Sequence, residues 1–321
     1  MRSLTLFAVL FALVSVSAAK DELQVGDLVK QHLNSIGTDQ ARAAVKTRAA
    51  EGSIQFRVLN GANPGTQEGK QVFISEGDKL VSLLKLPNPS YHGERFVSDG
   101  KKTVIAELKP GVFSNLGLFV HTHNEILTEG LWGGTLSTGW ALAHLDEHAA
   151  KLKYQGLKKV EGRQLHRVDY APKHSDLQIS LYFEPDTFRH VLTVYELTIK
   201  PQMGLTERET SQQQATHYRL EERFADYKST DNLTLPGKWT IQFTSEVPET
   251  QGSNAGDPTA TPDRGSSGGI AIYGGTTPIT EGQSQGHPQF GAALAAVTQF
   301  EVSETSISHN VTLDPKNFEI K

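Results

Sequence analysis

Two segments carry histidines and carboxylates at spacings that metal ions use. His144, Glu147 and His148 match the pattern H-x-x-E-H. On a helix, histidines four residues apart share a face and bind zinc, with the glutamate as general base, so the motif makes a zinc metallopeptidase one alternative. The same stretch has an apolar stripe at helical spacing, formed by Leu142, Leu145, Ala149 and Leu152. That stripe predicts a helix whose opposite, solvated face carries the motif beside the repelling charge of Lys151, and we favour this interpretation.

The second segment is less complete. His121, His123 and Glu125 supply one histidine pair and one carboxylate, and we interpret this set as an incomplete site that holds no metal. The glycines between Gly130 and Gly139 do not follow the strand-turn-helix pattern of a phosphate-binding loop. We therefore predict no catalytic residue, no metal and no cofactor, and we interpret the glycine-rich segment as a lid hinge with Trp132 at a cavity mouth.

Composition excludes several classes of protein. The 321 residues include no cysteine, which excludes a disulfide scaffold, thiol catalysis and any cysteine metal site. The chain has 31 Lys and Arg against 36 Asp and Glu, a net charge of −5. A chain without a basic surplus is not expected to bind nucleic acid.

The N-terminus has the pattern of a secretion signal. An apolar run from Leu4 to Val16 follows Arg2 and ends in the small residues Ser17-Ala18-Ala19. The run is shorter than the ~20 residues that span a bilayer. We predict a signal peptide over residues 1–19 and an exported, soluble, periplasmic chain that does not span the membrane.

The rest of the chain predicts a few helices and many strands. Helical spacing from Leu28 to Ile36 predicts a first helix, and Thr38 caps a second one that runs to Ala50. Period-two patterns follow, with hairpin signals at Glu76-Gly77-Asp78 and Asp99-Gly100. Later strands are predicted at residues 163–170, 177–183, 190–199, 224–228, 238–243 and 300–307.

One long segment interrupts the strands. From Thr244 to Gln289, 26 of 46 residues are Gly, Pro, Ser or Thr, a composition typical of a flexible loop. Strand-like sequence resumes beyond it. We predict a single domain over residues 20–321 with a flexible insertion at 244–289.

About ten strands and few helices predict a mainly β fold, a strongly curved antiparallel sheet (half-barrel). The N-terminal helix and a central helical lid are available to cover its apolar face.

Five motifs follow one another in a characteristic order: Gly52-Ser53-Ile54-Gln55-Phe56, Gln71-Val72-Phe73-Ile74, Phe96-Val97-Ser98-Asp99-Gly100-Lys101, Tyr182-Phe183-Glu184-Pro185-Asp186-Thr187-Phe188-Arg189 and Phe224-Ala225-Asp226-Tyr227-Lys228. In this order of motifs the chain resembles the LolA-like lipoprotein-carrier superfamily of the periplasm. The resemblance covers most of residues 21–243.

The resemblance implies a carrier protein and not an enzyme. Its partner would be an acylated lipoprotein or lipid held in an apolar cavity between sheet and lid, with a role in outer membrane biogenesis. Candidate cavity residues are Ile54, Phe56, Val58, Val72, Ile74, Ile105, Ile179, Leu181, Phe183 and Trp132. The resemblance also implies an arginine that holds the lid, for which Arg57 and Arg95 are candidates.

A different use of the same fold is the main alternative. An envelope sensor or interaction scaffold would bind envelope proteins, with the insertion at 244–289 as its contact surface.

Overall fold

The computed structural model describes residues 23–59, 65–89, 91–109, 114–200, 215–246 and 296–320. The helices are α1 (Val25–Ile36), α2 (Asp39–Ala44), α3 (Asn115–Thr122) and α4 (Glu125–Thr128), with short 3₁₀ turns at Gly134–Leu136, Ala141–Ala143 and Pro315–Phe318. The strands are β1 (Thr47–Val58), β2 (Thr66–Glu76), β3 (Lys79–Lys85), β4 (Gly93–Ser98), β5 (Thr103–Glu107), β6 (Lys151–Val160), β7 (Arg163–Ala171), β8 (Gln178–Phe183), β9 (His190–Ile199), β10 (Thr216–Thr230), β11 (Leu233–Glu246) and β12 (Ala296–His309).

The strands form one open antiparallel sheet. Its order is β5-β4-β3-β2-β1-β12-β11-β10-β9-β8-β7-β6, so the first and last strands pair at its centre. The N-terminal meander extends to one edge and the meander from β6 to β11 to the other. The prediction of a mainly β, curved half-barrel covered by helices is confirmed.

Turn chemistry sets the register of the N-terminal meander. Gly77 has a φ of 55° between β2 and β3, and Gly100 has a φ of 90° between β4 and β5. The Asp99 carboxylate accepts hydrogen bonds from the backbone N–H groups of Lys101 and Lys102, at 2.8 and 2.7 Å. Both hairpins lie where the sequence predicted them.

Two predicted helical stretches are wrong. The second helix ends at Ala44 instead of Ala50, and β1 begins at Thr47. Thr38 caps that helix as predicted, because its Oγ1 accepts from the N–H of Ala41. The stripe from Leu142 to Leu152 is not one helix, because it covers a 3₁₀ turn, an irregular turn and the start of β6.

The sheet buries a different set of side chains on each face. The larger set packs under α1 and under residues 114–148. We call residues 114–148 the lid, and we call the face of the sheet on which this set lies the inner face. On the outer face a small cluster packs under the C-terminal 3₁₀ turn, and its buried members are Ile74, Val81, Val97 and Phe318.

Among the described residues, no helix is long and apolar enough to cross a membrane. The predicted signal peptide lies outside the described residues. So does the predicted insertion from residue 247 onwards, while its first three residues, Thr244 to Glu246, belong to β11.

Phe318 should fix the C-terminal segment to the outer face. Replacing it with alanine removes a buried ring, and we expect the free energy of unfolding to fall by about 3 kcal/mol. Lys316→Ala, an exposed position in the same turn, is the control and should leave stability unchanged. Equal denaturation midpoints for the two variants would contradict this packing.

Candidate functional site: the covered inner face

The candidate site is the inner face of the sheet together with the lid that covers it. Apolar side chains from both halves of the sheet line it, because strand residues alternate between the two faces. Its aromatic members from the sheet include Phe73, Phe96, Tyr170, Phe183, Tyr195, Phe224, Trp239, Phe243 and Phe300.

Most of the predicted cavity residues lie here. Within the inner cluster, Phe56 is partly buried, and the members that are fully or nearly fully buried are Ile54, Ile105, Ile179, Leu181, Phe183 and Trp132. Val58 is half-buried near the end of β1. Whether any of them contacts a ligand stays a prediction.

Val72 and Ile74 do not lie on this face. Both pack in the outer cluster with Phe318, and Phe73 between them points inward. The sequence did not distinguish the two faces here, because three consecutive apolar residues fit a strand that is buried on both sides.

The lid places its own side chains in the space above the sheet. The Trp132 ring stacks on Phe96 with centroids 4.9 Å apart and meets Trp239 edge-on at 5.4 Å. Trp132 has no exposed surface, so it lies at the centre of the site and not at a mouth. In this closed arrangement, a ligand that enters must displace lid side chains.

Arg48 on β1 holds the lid from below. Its Nη1 donates to the backbone carbonyls of Thr135 and Leu136, at 2.7 and 3.0 Å. Only 4% of the residue is exposed, and burial lowers the guanidinium pKa to about 10, which leaves it charged at neutral pH.

Neither predicted lid arginine does this. Arg57 donates to Gln55 beside Glu301, and Arg95 donates to the carbonyl of Asn317 in the C-terminal segment. The signal for Arg48 was the period-two pattern of β1, because Arg48, Ala50, Ile54 and Phe56 all point to the inner face. This signal was missed because the residues up to Ala50 were assigned to a helix, whereas β1 begins at Thr47.

Glu222 on β10 is a second support of the lid. Its carboxylate accepts from the N–H of Gly133 at 2.8 Å, from Trp239 Nε1 at 3.0 Å and from the Tyr195 hydroxyl at 2.7 Å. Burial raises its pKa to about 7, while these three donors act in the opposite direction.

Glu94 on β4 fixes the start of α3. It accepts from the N–H and hydroxyl of Ser114, at 2.6 and 2.8 Å, and from the Tyr91 hydroxyl at 3.0 Å. Burial raises the pKa of Glu94. A Cβ at Gly117 would lie 2.3 Å from Glu94 Oε1, so only glycine lets the helix approach this carboxyl group.

His32 joins α1 to the lid. Trp140 Nε1 donates to His32 Nε2 at 2.9 Å, which assigns the ring proton to Nδ1, and Nδ1 donates to the carbonyl of Phe188 at 3.0 Å. Burial lowers the pKa of His32 to about 4. The His190 ring stacks on the Trp140 ring with centroids 4.8 Å apart, and burial lowers the pKa of His190 as well.

The sequence motifs for metal ligands are arranged differently from a zinc peptidase. Residues 144–148 form a turn, in which His144 Nδ1 lies 3.1 Å from Glu147 Oε1 while His148 Nδ1 lies 3.7 Å from Glu129 Oε2. The two histidines therefore do not share a helix face. In the other segment, His123 is buried beside Glu125 and Asp176, and His121 is exposed.

The arrangement is suited to holding an apolar molecule. Large apolar side chains form both walls, and the buried polar groups described above mainly join the lid to the sheet.

No protein-family model matches the chain, and neither does any curated protein. Matching solved structures include a DUF1329 family protein from Desulfovibrio piger, with 10% identity over 92% of this chain and 97% of that one and a TM-score of 0.40. A LolA superfamily protein from Nitrosomonas europaea matches with 7% identity, 93% and 99% coverage and a TM-score of 0.41. A putative outer membrane lipoprotein-sorting protein domain from Vibrio parahaemolyticus matches with 10% identity, 90% and 97% coverage and a TM-score of 0.38. The matches include the LolA superfamily, as the sequence resemblance predicted, and at these values the likeness says nothing about a ligand.

Arg48→Met should loosen the lid without unfolding the sheet. It leaves the carbonyls of Thr135 and Leu136 without their donor, at about 1–3 kcal/mol for each buried group. We expect backbone amides of residues 134–137 to exchange hydrogen at least about tenfold faster. Arg57→Met is the matched control, and equal exchange in both variants would contradict the role of Arg48.

Glu222→Gln should change how stability depends on pH. A carboxyl group whose folded pKa is raised contributes stability that is present below its unfolded pKa and lost as pH rises through its folded pKa. Between pH 4.5 and about 7 the wild type should therefore lose about 3 kcal/mol relative to the variant. Chemical denaturation at several pH values measures this difference, and parallel profiles would disprove it.

Proposed function

We propose that this chain is a periplasmic carrier that binds acyl chains of a lipoprotein or lipid between the inner face and the lid. The lid opens, the acyl chain takes the place of lid side chains, and reclosure or a second opening releases it. The protein acts by binding and catalyses no reaction. The resemblance read from the sequence points to the same class.

The nature of the lid supports this proposal. Trp132, Leu136 and Trp140 are lid side chains that pack on the inner face. Side chains on the strands cannot leave the core unless the sheet itself breaks. The lid, in contrast, is one continuous segment that can lift from the sheet. Its polar contacts to the rest of the fold come from separate side chains, among them Arg48, Glu94 and Glu222.

The free energies of lid opening and of acyl-chain burial predict how long a ligand must be to bind. Exposing three large apolar side chains costs about 5–9 kcal/mol, at about 1.5–3 kcal/mol each. An acyl chain recovers about 0.8 kcal/mol for each buried CH₂ group, so about ten groups offset the opening of the lid. Chains of about 14–18 carbons are therefore preferred over chains of about eight.

The protein offers its own signal for lid displacement. Its three tryptophans are Trp132, Trp140 and Trp239, and all three are buried between lid and sheet. A ligand that lifts the lid should change their emission. Titration with saturated fatty acids of increasing length should show saturable binding that begins near about ten carbons.

The single observation that carries the proposal is this apolar lid on an apolar sheet face, and charge placed there tests it. Phe56 and Val72 are half-buried positions on opposite faces of neighbouring strands. We expect Phe56→Arg to abolish fatty-acid binding and Val72→Arg to preserve it. Circular dichroism and thermal melting identify folded variants, and Leu181→Arg is a second inner-face substitution. Full binding by a folded Phe56→Arg variant would disprove the acyl-chain site.

Native mass spectrometry of tag-free protein from its own envelope identifies the natural ligand. A lipid-sized adduct, recovered by solvent extraction, supports the carrier. A bare polypeptide mass together with no fatty-acid binding favours the scaffold alternative, in which deleting residues 247–289 of the insertion abolishes capture of an envelope protein.

A further inference from the structure

A second site lies where the lid meets the hairpin between β2 and β3. Asp78 comes from that hairpin, and His144 and Glu147 follow the 3₁₀ turn Ala141–Ala143 on the lid. Each of the three side chains offers one ligand atom, and the three atoms lie within 4.8 Å of one another. Residues far apart in sequence therefore place one imidazole and two carboxylates together.

The backbone around the three side chains fixes this approach. Thr138 N donates to Ser75 Oγ and Thr138 Oγ1 donates to the carbonyl of Gly77, both at 3.0 Å. The Thr138 carbonyl in turn lies 3.2 Å from His144 Nε2. The bonds of Thr138 to Ser75 and Gly77 hold the lid against the hairpin.

Gly139 shows how close the two segments come. A Cβ at this position would lie 2.7 Å from the carbonyl oxygen of Gly77 and 3.3 Å from Asp78 Oδ1. A larger residue would push the lid away from the hairpin, so glycine keeps Asp78 within reach of His144.

We propose that Asp78, His144 and Glu147 bind a divalent cation, with Zn²⁺ as the best fit, and that the cation clasps the lid to the sheet. Imidazole nitrogen with carboxylate oxygen is a donor set that zinc accepts, with water completing a tetrahedron. Tetrahedral ligands at about 2.0–2.1 Å from zinc lie about 3.3 Å apart. The three side chains are half-buried or exposed, so small rotations bring their atoms to that spacing.

This site differs from the peptidase motif in the same sequence. His148 is the second metal ligand of H-x-x-E-H, but here it lies beside Glu129. Glu147 acts as a ligand here and not as a base, so the proposed site has a mechanical role. It requires no acyl ligand and is independent of the proposed function.

The test is zinc titration of tag-free full-length protein by calorimetry and native mass spectrometry. We expect one Zn²⁺ per chain, and at least about tenfold weaker binding in His144→Ala and in Asp78→Asn. His148→Ala is the control from the same motif and should bind zinc as the wild type does. Hydrogen exchange at Thr138 and Gly139 should slow when zinc is added to the wild type, but not when it is added to Asp78→Asn.

Several results would overturn the site. These are absence of zinc binding, wild-type binding by Asp78→Asn or His144→Ala, and equal loss in His148→Ala. Zinc binding without slower hydrogen exchange at Thr138 would show that the bound cation does not fasten the lid to the sheet. Circular dichroism confirms that each variant is folded, and Glu147→Gln replaces any variant that is not.

Discussion

The burial of an irregular backbone segment against the sheet is the constraint on which the structure depends. Residues 133–136 form buried turns at the centre of the lid, where water does not satisfy their N–H and carbonyl groups. The sheet supplies the missing partners: Arg48 donates to two carbonyls and Glu222 accepts from the N–H of Gly133. The buried arginine and the buried carboxyl group on the inner face are explained by this need, since each is costly to bury without a partner.

The same constraint fixes the glycines of the lid. Gly133 and Gly134 have φ angles of 75° and 52°, and a Cβ at Gly133 would come within 2.7 Å of the Phe73 ring. Only glycine combines this backbone conformation with such close packing. The glycine-rich segment is therefore closely packed against the sheet in the closed lid. Its position brings Trp132 into contact with Phe96 and Trp239.

Local patterns in the sequence predicted the sheet better than they predicted the site. The hairpins at Gly77 and Gly100 and the meander β7–β9 were predicted because turn residues and period-two alternation are local signals. Strand β6 was read as part of a helix, because its apolar residues continue a stripe that starts in the lid. The faces of Val72 and Ile74 depend on the C-terminal segment, and the role of Arg48 depends on the lid carbonyls that it contacts. Both are contacts between residues far apart in the chain.

The buried titratable groups act on the closed lid in opposite directions. Neutral His32, with a pKa lowered to about 4, contributes stability that is lost as pH falls below 6.5. Neutral Glu222, with a pKa raised to about 7, contributes stability that is lost as pH rises above 4.5. Considering these two groups alone, the closed form is most stable between those limits. Near neutral pH, ionised Glu222 gains hydration whenever the lid lifts and admits water, so the group that fastens Gly133 also lowers the free energy needed to release it.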